Sequence, residues 1–286
     1  MADNQTPHDK LVFPYPEKDF FDEGLPKGVL SPSGFNTFRR CPRQFEYAYI
    51  LGVIKPPGIS MVKGTAIHRG AEVVHKHTIE HGKPLGVDDG VQAVSDAFDG
   101  EKDSVEDVTK TEKGMVKDAA ISNFKIYYRD AVPLISPVAA EKPFAVKIGG
   151  VPFRGVIDLI DRVPGEYSLE DDPDQPPPKV EVVSDLKTTA KKWPPQKVDH
   201  DPQMTFYAMV EDTDRIRIDF LIDLKSGCKY TPVRALRDAN SKRILVEDVE
   251  EAAFLMKKGY FPRCDPTHWA CTPKFCGYYA TCRGPK

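Results

Sequence analysis

Apolar positions along the chain change period near Pro137. Before it they recur every three to four residues, the spacing of amphipathic helices. Order begins near Leu30-Ser31-Pro32-Ser33, where a Ser cap precedes a helical pattern through Phe35, Phe38 and Cys41, which Pro42 disturbs; Phe45, Tyr47 and Tyr49 continue it as an aromatic segment. Gly52 to Gly58 is a Pro-containing turn. A second helix is predicted from Lys63 to Glu80, with Ile67, Ala71, Val74 and Thr78 on one stripe and Gly82-Lys83-Pro84 as its stop. Residues 87–98 and 111–131 also read as helices, the latter with Met115, Ala119, Phe124 and Tyr128 approximating one face.

After Pro137 the pattern is that of strands. Val138–Ile148 and Val151–Asp161 form two, joined by Gly149-Gly150, and Val180–Lys187 forms a third beyond a polar, Pro-rich loop at 164–178. Asp201-Pro202 starts a helix running to about Val210. Arg215–Leu224 and Lys229–Ala235 are further strands around a turn at Ser226-Gly227, and Ser241–Lys258 is a last helix. Residues 1–27 read as an extended arm with aromatic anchors at Phe13, Tyr15, Phe20 and Phe21. Residues 28–286 read as a single α/β domain: a helical lobe at about 60–136, a sheet core at about 137–235, and a C-terminal helix and cysteine tail at 240–286.

The 286 residues are 40% hydrophobic and 29% charged, a soluble globular balance. Forty Lys and Arg against 43 Asp and Glu exclude a basic coat, so any nucleic-acid contact rests on local charge. No apolar run approaches a membrane span and the first residues lack a signal pattern, which gives a cytoplasmic expectation with no membrane partner. Six cysteines in such a chain read as metal ligands or free thiols rather than a disulfide scaffold.

Two acids stand where strands should be apolar: Asp158 within Gly155–Ile160, and Asp185 at the end of Val180–Asp185. A partly buried carboxylate is costly unless paired or bound to a cation. Side chains alternate along a strand, so Asp185 and Lys187 share a face, and neighbouring strands would bring Asp158 to them. Two hard oxygen donors suit Mg²⁺ or Mn²⁺, and a metal beside a lysine suits phosphodiester hydrolysis. On spacing alone the simpler account is a same-face salt bridge with Asp158 capping a strand end.

The surroundings shift that balance. Five short motifs occur in order: Ser31-Pro32-Ser33 through Cys41 to Tyr47; Gly64-Thr65-Ala66-Ile67-His68; Gly155-Val156-Ile157-Asp158; Ser184-Asp185-Leu186-Lys187-Thr188; and Gln203-Met204-Thr205-Phe206-Tyr207. Together they resemble the RecB-like branch of the PD-(D/E)XK nuclease superfamily. The resemblance implies a restriction-endonuclease-like core, a mixed sheet flanked by helices with a helical insertion. It implies His68, Asp158, Asp185 and the Leu186 carbonyl as metal ligands and Lys187 as the catalytic lysine. Gln203 and Tyr207, four apart on one helical face, would contact the site or the DNA. Without the match His68 would not stand out, and His75, His77 and His81 read as surface residues. The stretch between Asp158 and Asp185 is longer than the hairpin usual in that family, the Pro-rich loop supplying the excess.

The tail spaces its cysteines as Cys264-x6-Cys271-x4-Cys276-x5-Cys282. Several thiolates around turn residues can reach one centre, and spacing does not separate an iron–sulfur cluster from zinc. The resemblance extends to the iron–sulfur staple of RecB-like nucleases such as AddB and CRISPR-associated relatives. It implies a 4Fe–4S cluster on Cys41, Cys271, Cys276 and Cys282, with structural zinc or disulfides as rivals. Cys264 competes as a ligand, and Cys228 reads as an ordinary strand residue.

Local positive charge occurs at Arg39, Arg40 and Arg43 and at Lys191-Lys192-Trp193, where basic groups could hold phosphates and the indole could stack on a base. A merely solvated surface explains any one of them as well. The resulting expectation is a Mg²⁺- or Mn²⁺-dependent DNA exonuclease on single-stranded or end-containing DNA, in recombination, repair, replication or phage DNA metabolism. The alternatives are a non-catalytic nucleic-acid-binding module on the same fold, or a nuclease active only with recombination, CRISPR or phage replication proteins. No P-loop pattern is present, so the chain supplies no helicase motor.

Overall fold

The computed structural model describes residues 28–105, 108–165, 179–224 and 227–284. The expected N-terminal arm, most of the Pro-rich loop and Ser226 of the last hairpin turn lie outside the described residues. The chain divides into two compact units, one drawn from residues up to Lys55, Pro143–Gly155 and from Asp238 on, the other from Pro56–Lys142 and Val156–Arg237.

A five-stranded sheet runs in the order β1 (Pro137–Ile148), β2 (Val151–Pro164), β3 (Lys179–Thr189), β4 (Arg215–Leu224) and β5 (Gly227–Leu236). β2 pairs antiparallel with β3, β3 parallel with β4, and β4 antiparallel with β5. The parallel step needs a crossover. It is made by the short helix α6 (Pro195–Asp199) and by α7 (Pro202–Val210), whose N-cap Asp201 accepts from the Met204 amide. Helices flank the sheet, and the mixed α/β fold expected from the sequence is the one observed.

In the second unit, α3 (Ile59–His81), α4 (Val87–Glu101) and α5 (Lys110–Asp130) pack on one another. They cross closely because Gly70 and Gly90 lack side chains: a Cβ at Gly90 would lie 2.4 Å from Phe124, and one at Gly70 2.5 Å from Val94. The apolar face of α5 is rotated from the expected one. Ala120, Asn123, Phe124 and Tyr127 are buried while Met115 is 67% exposed, because contact with the other two helices overrides the looser periodicity. His75 is also corrected from surface to interior. It is buried against Tyr127, whose hydroxyl lies 2.8 Å from its Nε2, and burial lowers its pKa to about 4, leaving it neutral at pH 7.

Beneath the sheet face lies a buried ionic triad. Arg217 on β4 donates to Asp161 on β2 and, at 2.9 Å, to Asp219. Asp219 also accepts from Ser184 at 2.6 Å and Tyr230 at 2.7 Å, and Asp161 accepts from the Ser136 amide at 2.8 Å. Such a group is costly to break because its remaining charges stay buried.

The first unit joins the two ends of the described chain. It holds α1 (Pro32–Arg40), α2 (Pro42–Phe45), a π-helical turn at Glu46–Ile50, α8 (Ala239–Lys257) and α9 (Tyr279–Arg283). Ser31 caps α1 through the Gly34 amide, as expected, and Pro42 ends that helix and opens the next. Phe38, Phe45 and Phe261 pack as a ring cluster with centroids 5.6–6.3 Å apart. No helix among the described residues is long and apolar enough to cross a membrane.

Arg217→Met should leave Asp161 and Asp219 facing each other without a cation. The expected cost is about 3–5 kcal/mol, read as a lower urea midpoint with an unchanged m-value.

Candidate active site

The ladder between β2 and β3 ends at Leu159 opposite Ser184, so Asp158 and Asp185 sit one residue beyond the last pair on adjoining strands. The long connection between them therefore leaves the strand pairing intact. Asp185 is 1% exposed. Its Oδ1 accepts from Lys187 at 3.0 Å and from Gln203 at 3.1 Å. Lys187 Nζ also lies 2.8 Å from Oδ2, yet without hydrogen-bond geometry, and Oδ2 is a buried oxygen lacking a hydrogen bond. Lys187 donates in turn to Gln203 Oε1 at 3.2 Å. Gln203 and Tyr207 share the face of α7 turned to these groups: Gln203 donates to the Tyr207 hydroxyl at 2.7 Å, and that hydroxyl donates to the Val156 carbonyl at 2.8 Å.

His68 comes to the same place from α3. Its Nε2 is 2.7 Å from the Leu186 carbonyl and its Nδ1 3.2 Å from Asp158 Oδ2, which also accepts from the Leu186 amide at 3.2 Å. A neutral imidazole that donates from Nε2 presents a lone pair at Nδ1. That lone pair faces a carboxylate oxygen, an arrangement satisfied by a proton or a cation between them.

Glu141 completes the group, and the sequence motifs do not include it. The ligand atoms of His68, Glu141 and Asp158 all lie within 4.8 Å of one another. Glu141 holds a left-handed backbone, φ 50°, inside β1, a conformation uncommon for a side-chain-bearing residue and one that re-aims a strand position. An acid in an otherwise apolar strand is its only sequence signal, and adjacent Lys142 makes the pair look like ordinary edge charge; Lys142 instead pairs with Glu211 at 2.8 Å. Asp185 lies outside the three-residue group and is held by Lys187 and Gln203.

Burial raises all three carboxyls. Asp185 is pushed up to about 6, opposed by Lys187 and reinforced by Asp158. Burial raises Asp158 against the pull of His68, and raises Glu141 with help from neighbouring Glu72. Burial works against the Lys187 ammonium too, but Asp185 outweighs it and its pKa is raised. The donor set of imidazole, carboxylates and a carbonyl, with an orphaned buried carboxylate oxygen beside it, fits a hard divalent cation.

The cysteines gather in the first unit. Cys41, Cys264, Cys271, Cys276 and Cys282 line one cavity, and Cys228 stands apart on β5. None of the described cysteines is in a disulfide. Arg263 donates to Cys282 Sγ at 3.2 Å and Arg283 to Cys271 Sγ at 3.1 Å. Burial, then hydrogen bonds with Cys41 and Cys271, raises the Cys264 thiol to about 12. That cavity gathers one sulfur more than the four the sequence motif names. Around it the Arg43 amide donates to the Pro262 carbonyl at 3.1 Å, and Tyr47 stacks on Tyr278 at 5.2 Å.

The proposed DNA-contacting residues are dispersed. In the first unit Arg39 pairs with Asp248 at 3.2 Å, Arg40 donates to Gln44 at 3.2 Å, and Arg43 pairs with Glu46. In the second, Lys191 and Lys192 are exposed beyond β3, and Trp193 packs edge-on against Phe220 with Lys197 Nζ 3.6 Å from its ring centre.

The sheet thus turns acids and a lysine from the middle of β2 and β3 toward a histidine on α3. The model of the PD-(D/E)XK nuclease superfamily matches residues 29–283, and the chain belongs to that superfamily. Nucleases of this superfamily use divalent metal ions. No curated protein matches the chain. Among solved structures, a protein of Eubacterium rectale named as a "Putative exonuclease" aligns with a TM-score of 0.53 and 13% identity, over 91% of this chain and 92% of that one. At that identity the likeness bears on the fold alone. The protein SSO0001 aligns over 85% of this chain and 94% of that one, with 12% identity and a TM-score of 0.35.

Mn²⁺ should stabilise the protein against heat, and the rise in Tm should grow as pH increases from 5 to 7, because the raised carboxyls must lose their protons before they bind. In the metal-free protein the sign is opposite. A raised Asp185 pKa contributes stability that is present below about pH 4 and lost as pH rises through about 6. Differential scanning fluorimetry with and without Mn²⁺ checks both.

Proposed function

We propose that the protein is a metal-dependent DNA nuclease of the RecB-like kind, acting as an exonuclease on single-stranded or end-containing DNA. The observation that carries this reading is the meeting of His68, Glu141 and Asp158 beside the Asp185–Lys187–Gln203 group, with Asp185 buried and half of its carboxylate without a hydrogen bond. His68, Glu141, Asp158, Asp185 and the Leu186 carbonyl would hold Mg²⁺ or Mn²⁺. Such an ion supplies a Lewis acid for the scissile phosphate and lowers the pKa of water. Lys187 is aimed by Asp185 and Gln203, so its ammonium can orient the attacking water or offset charge developing on the phosphate. Tyr207 keeps Gln203 in place, its own hydroxyl anchored on β2.

The cysteine cavity is proposed to hold a 4Fe–4S cluster on Cys41, Cys271, Cys276 and Cys282, with zinc as the rival. A centre linking Cys41 to Cys271 closes a loop of more than two hundred residues, so its loss should loosen the unit around it. The same reading assigns a cytoplasmic protein of recombination, repair, replication or phage DNA metabolism, and the motif resemblance supports it.

Labelled DNA incubated with Mn²⁺ should be degraded by the parent protein at least about 100-fold faster than by Asp185→Ala or Lys187→Ala. Linear single strands should be consumed and circular ones spared. Equal rates for parent and variants would refute the enzyme reading. Protein purified without air should be brown and carry about four irons per chain; a colourless preparation with stoichiometric zinc would refute the cluster.

A further inference from the structure

Two cations on α3, Arg69 directly after His68 and Lys76 two turns on, lie outside all five sequence motifs. Arg69, Glu72 and Lys76 follow His68 on α3, spaced so that all share the face of that helix. Glu72 lines the same cavity as His68, Glu141 and Asp158. Its carboxylate is gripped from both sides, by Arg69 Nη1 at 2.5 Å and Lys76 Nζ at 2.7 Å. The Glu72 side chain is 15% exposed, whereas those of Arg69 and Lys76 are 52% and 48% exposed. The charges of Glu72, His68, Lys76 and Arg69 all act on Glu141, which puts the pair within electrostatic reach of the ion site.

We propose that Arg69 and Lys76 form the phosphate clamp that seats the nucleic-acid strand beside the ion site, with Glu72 holding both heads in place until a backbone phosphate replaces it. The inference rests on the nuclease reading for its substrate. Its chemistry is that of an anion already bound: two cations converge on one carboxylate, and a backbone phosphodiester offers a similar pair of oxygens with the same single negative charge. An arginine fork and a lysine point charge held on one rigid helix lose little freedom when they bind. Asp99, held by Lys117 at 2.6 Å and Lys102 at 3.0 Å, repeats the two-cation pattern within the helical lobe, but it does not line that cavity and supplies an internal control.

The test measures binding of fluorescent oligodeoxythymidylate by anisotropy in EDTA, across a series of KCl concentrations, so that no cleavage intervenes. Arg69→Gln/Lys76→Gln should flatten the slope of log K against log salt by about 0.7, the amount for the one phosphate that is no longer neutralised. Lys102→Gln/Lys117→Gln should keep the parent slope. In turnover with Mn²⁺, the clamp variant should raise KM about tenfold while kcat falls by less. Arg69→Lys should recover part of the affinity. Calorimetric Mn²⁺ binding to Arg69→Gln/Lys76→Gln should match the parent, since neither residue is a ligand. A parent-like slope in that variant, or an equal flattening in the Asp99 control, would overturn the clamp. Loss of Mn²⁺ binding in Glu72→Gln would overturn it too, by making Glu72 a ligand. Failure of the nuclease reading shows separately, as equal cleavage by the parent and Asp185→Ala.

Discussion

Negative charge held out of water is the constraint around which the second unit is organised. Glu141 and Asp158 meet at His68, Asp185 lies beside them paired with the Lys187 ammonium, and burial holds each of the three carboxyls above its ordinary pKa. A folded protein tolerates such a group only if protons or a cation supply the missing positive charge. The elements that create the excess are two neighbouring strands that carry acids just past the last β2–β3 pair, a positive-φ position in β1, and a helix that brings an imidazole to face them. The buried Arg217 triad below shows the other solution to the same problem, in which an arginine donates to both acids.

Much of this is legible in the sequence because strands advertise misplaced acids. Asp158 and Asp185 interrupt runs that otherwise alternate or stay apolar, and Lys187 two positions on shares the face of Asp185. Asp201-Pro202 marks the start of α7, and that start sets where Gln203 points. The features that stay hidden depend on tertiary contact. Glu141 reaches the group through a local left-handed turn of the backbone, which no side-chain pattern encodes. His75 lies on the buried stripe of α3, but an imidazole on a helix reads as solvated until a hydroxyl such as Tyr127 is seen beside it. Met115 falls on the expected stripe of α5 and is exposed because Gly70 and Gly90 let Phe124 set the helix rotation.

The first unit obeys a different logic. Its buried core mixes rings such as Phe35, Phe38 and Phe153 with aliphatics such as Val146, Leu245 and Val249, and it also joins chain segments far apart in sequence: Arg43 to Pro262, Tyr47 to Tyr278, Val53 to the Tyr278 hydroxyl at 2.7 Å. Turn-rich tails gain little from regular hydrogen bonding, so covalent or coordinate ties count for more there than in the sheet. Five thiols, Cys41, Cys264, Cys271, Cys276 and Cys282, line one cavity there. The sequence exposes their spacing, but Cys264 joins the cavity only once the chain has folded back on itself.

The register of β2 with β3 has a consequence for how this scaffold can vary. Paired residues run from Leu159 and Ser184 back to Pro164 and Lys179, so the long connector is attached about 16–20 Å along the ribbon from the acids. Its length can change without altering the β2–β3 register, since that register holds the acids whatever the connector's length. That junction is the natural port for grafted sequence, a place where the molecule can acquire new recognition without retuning its chemistry.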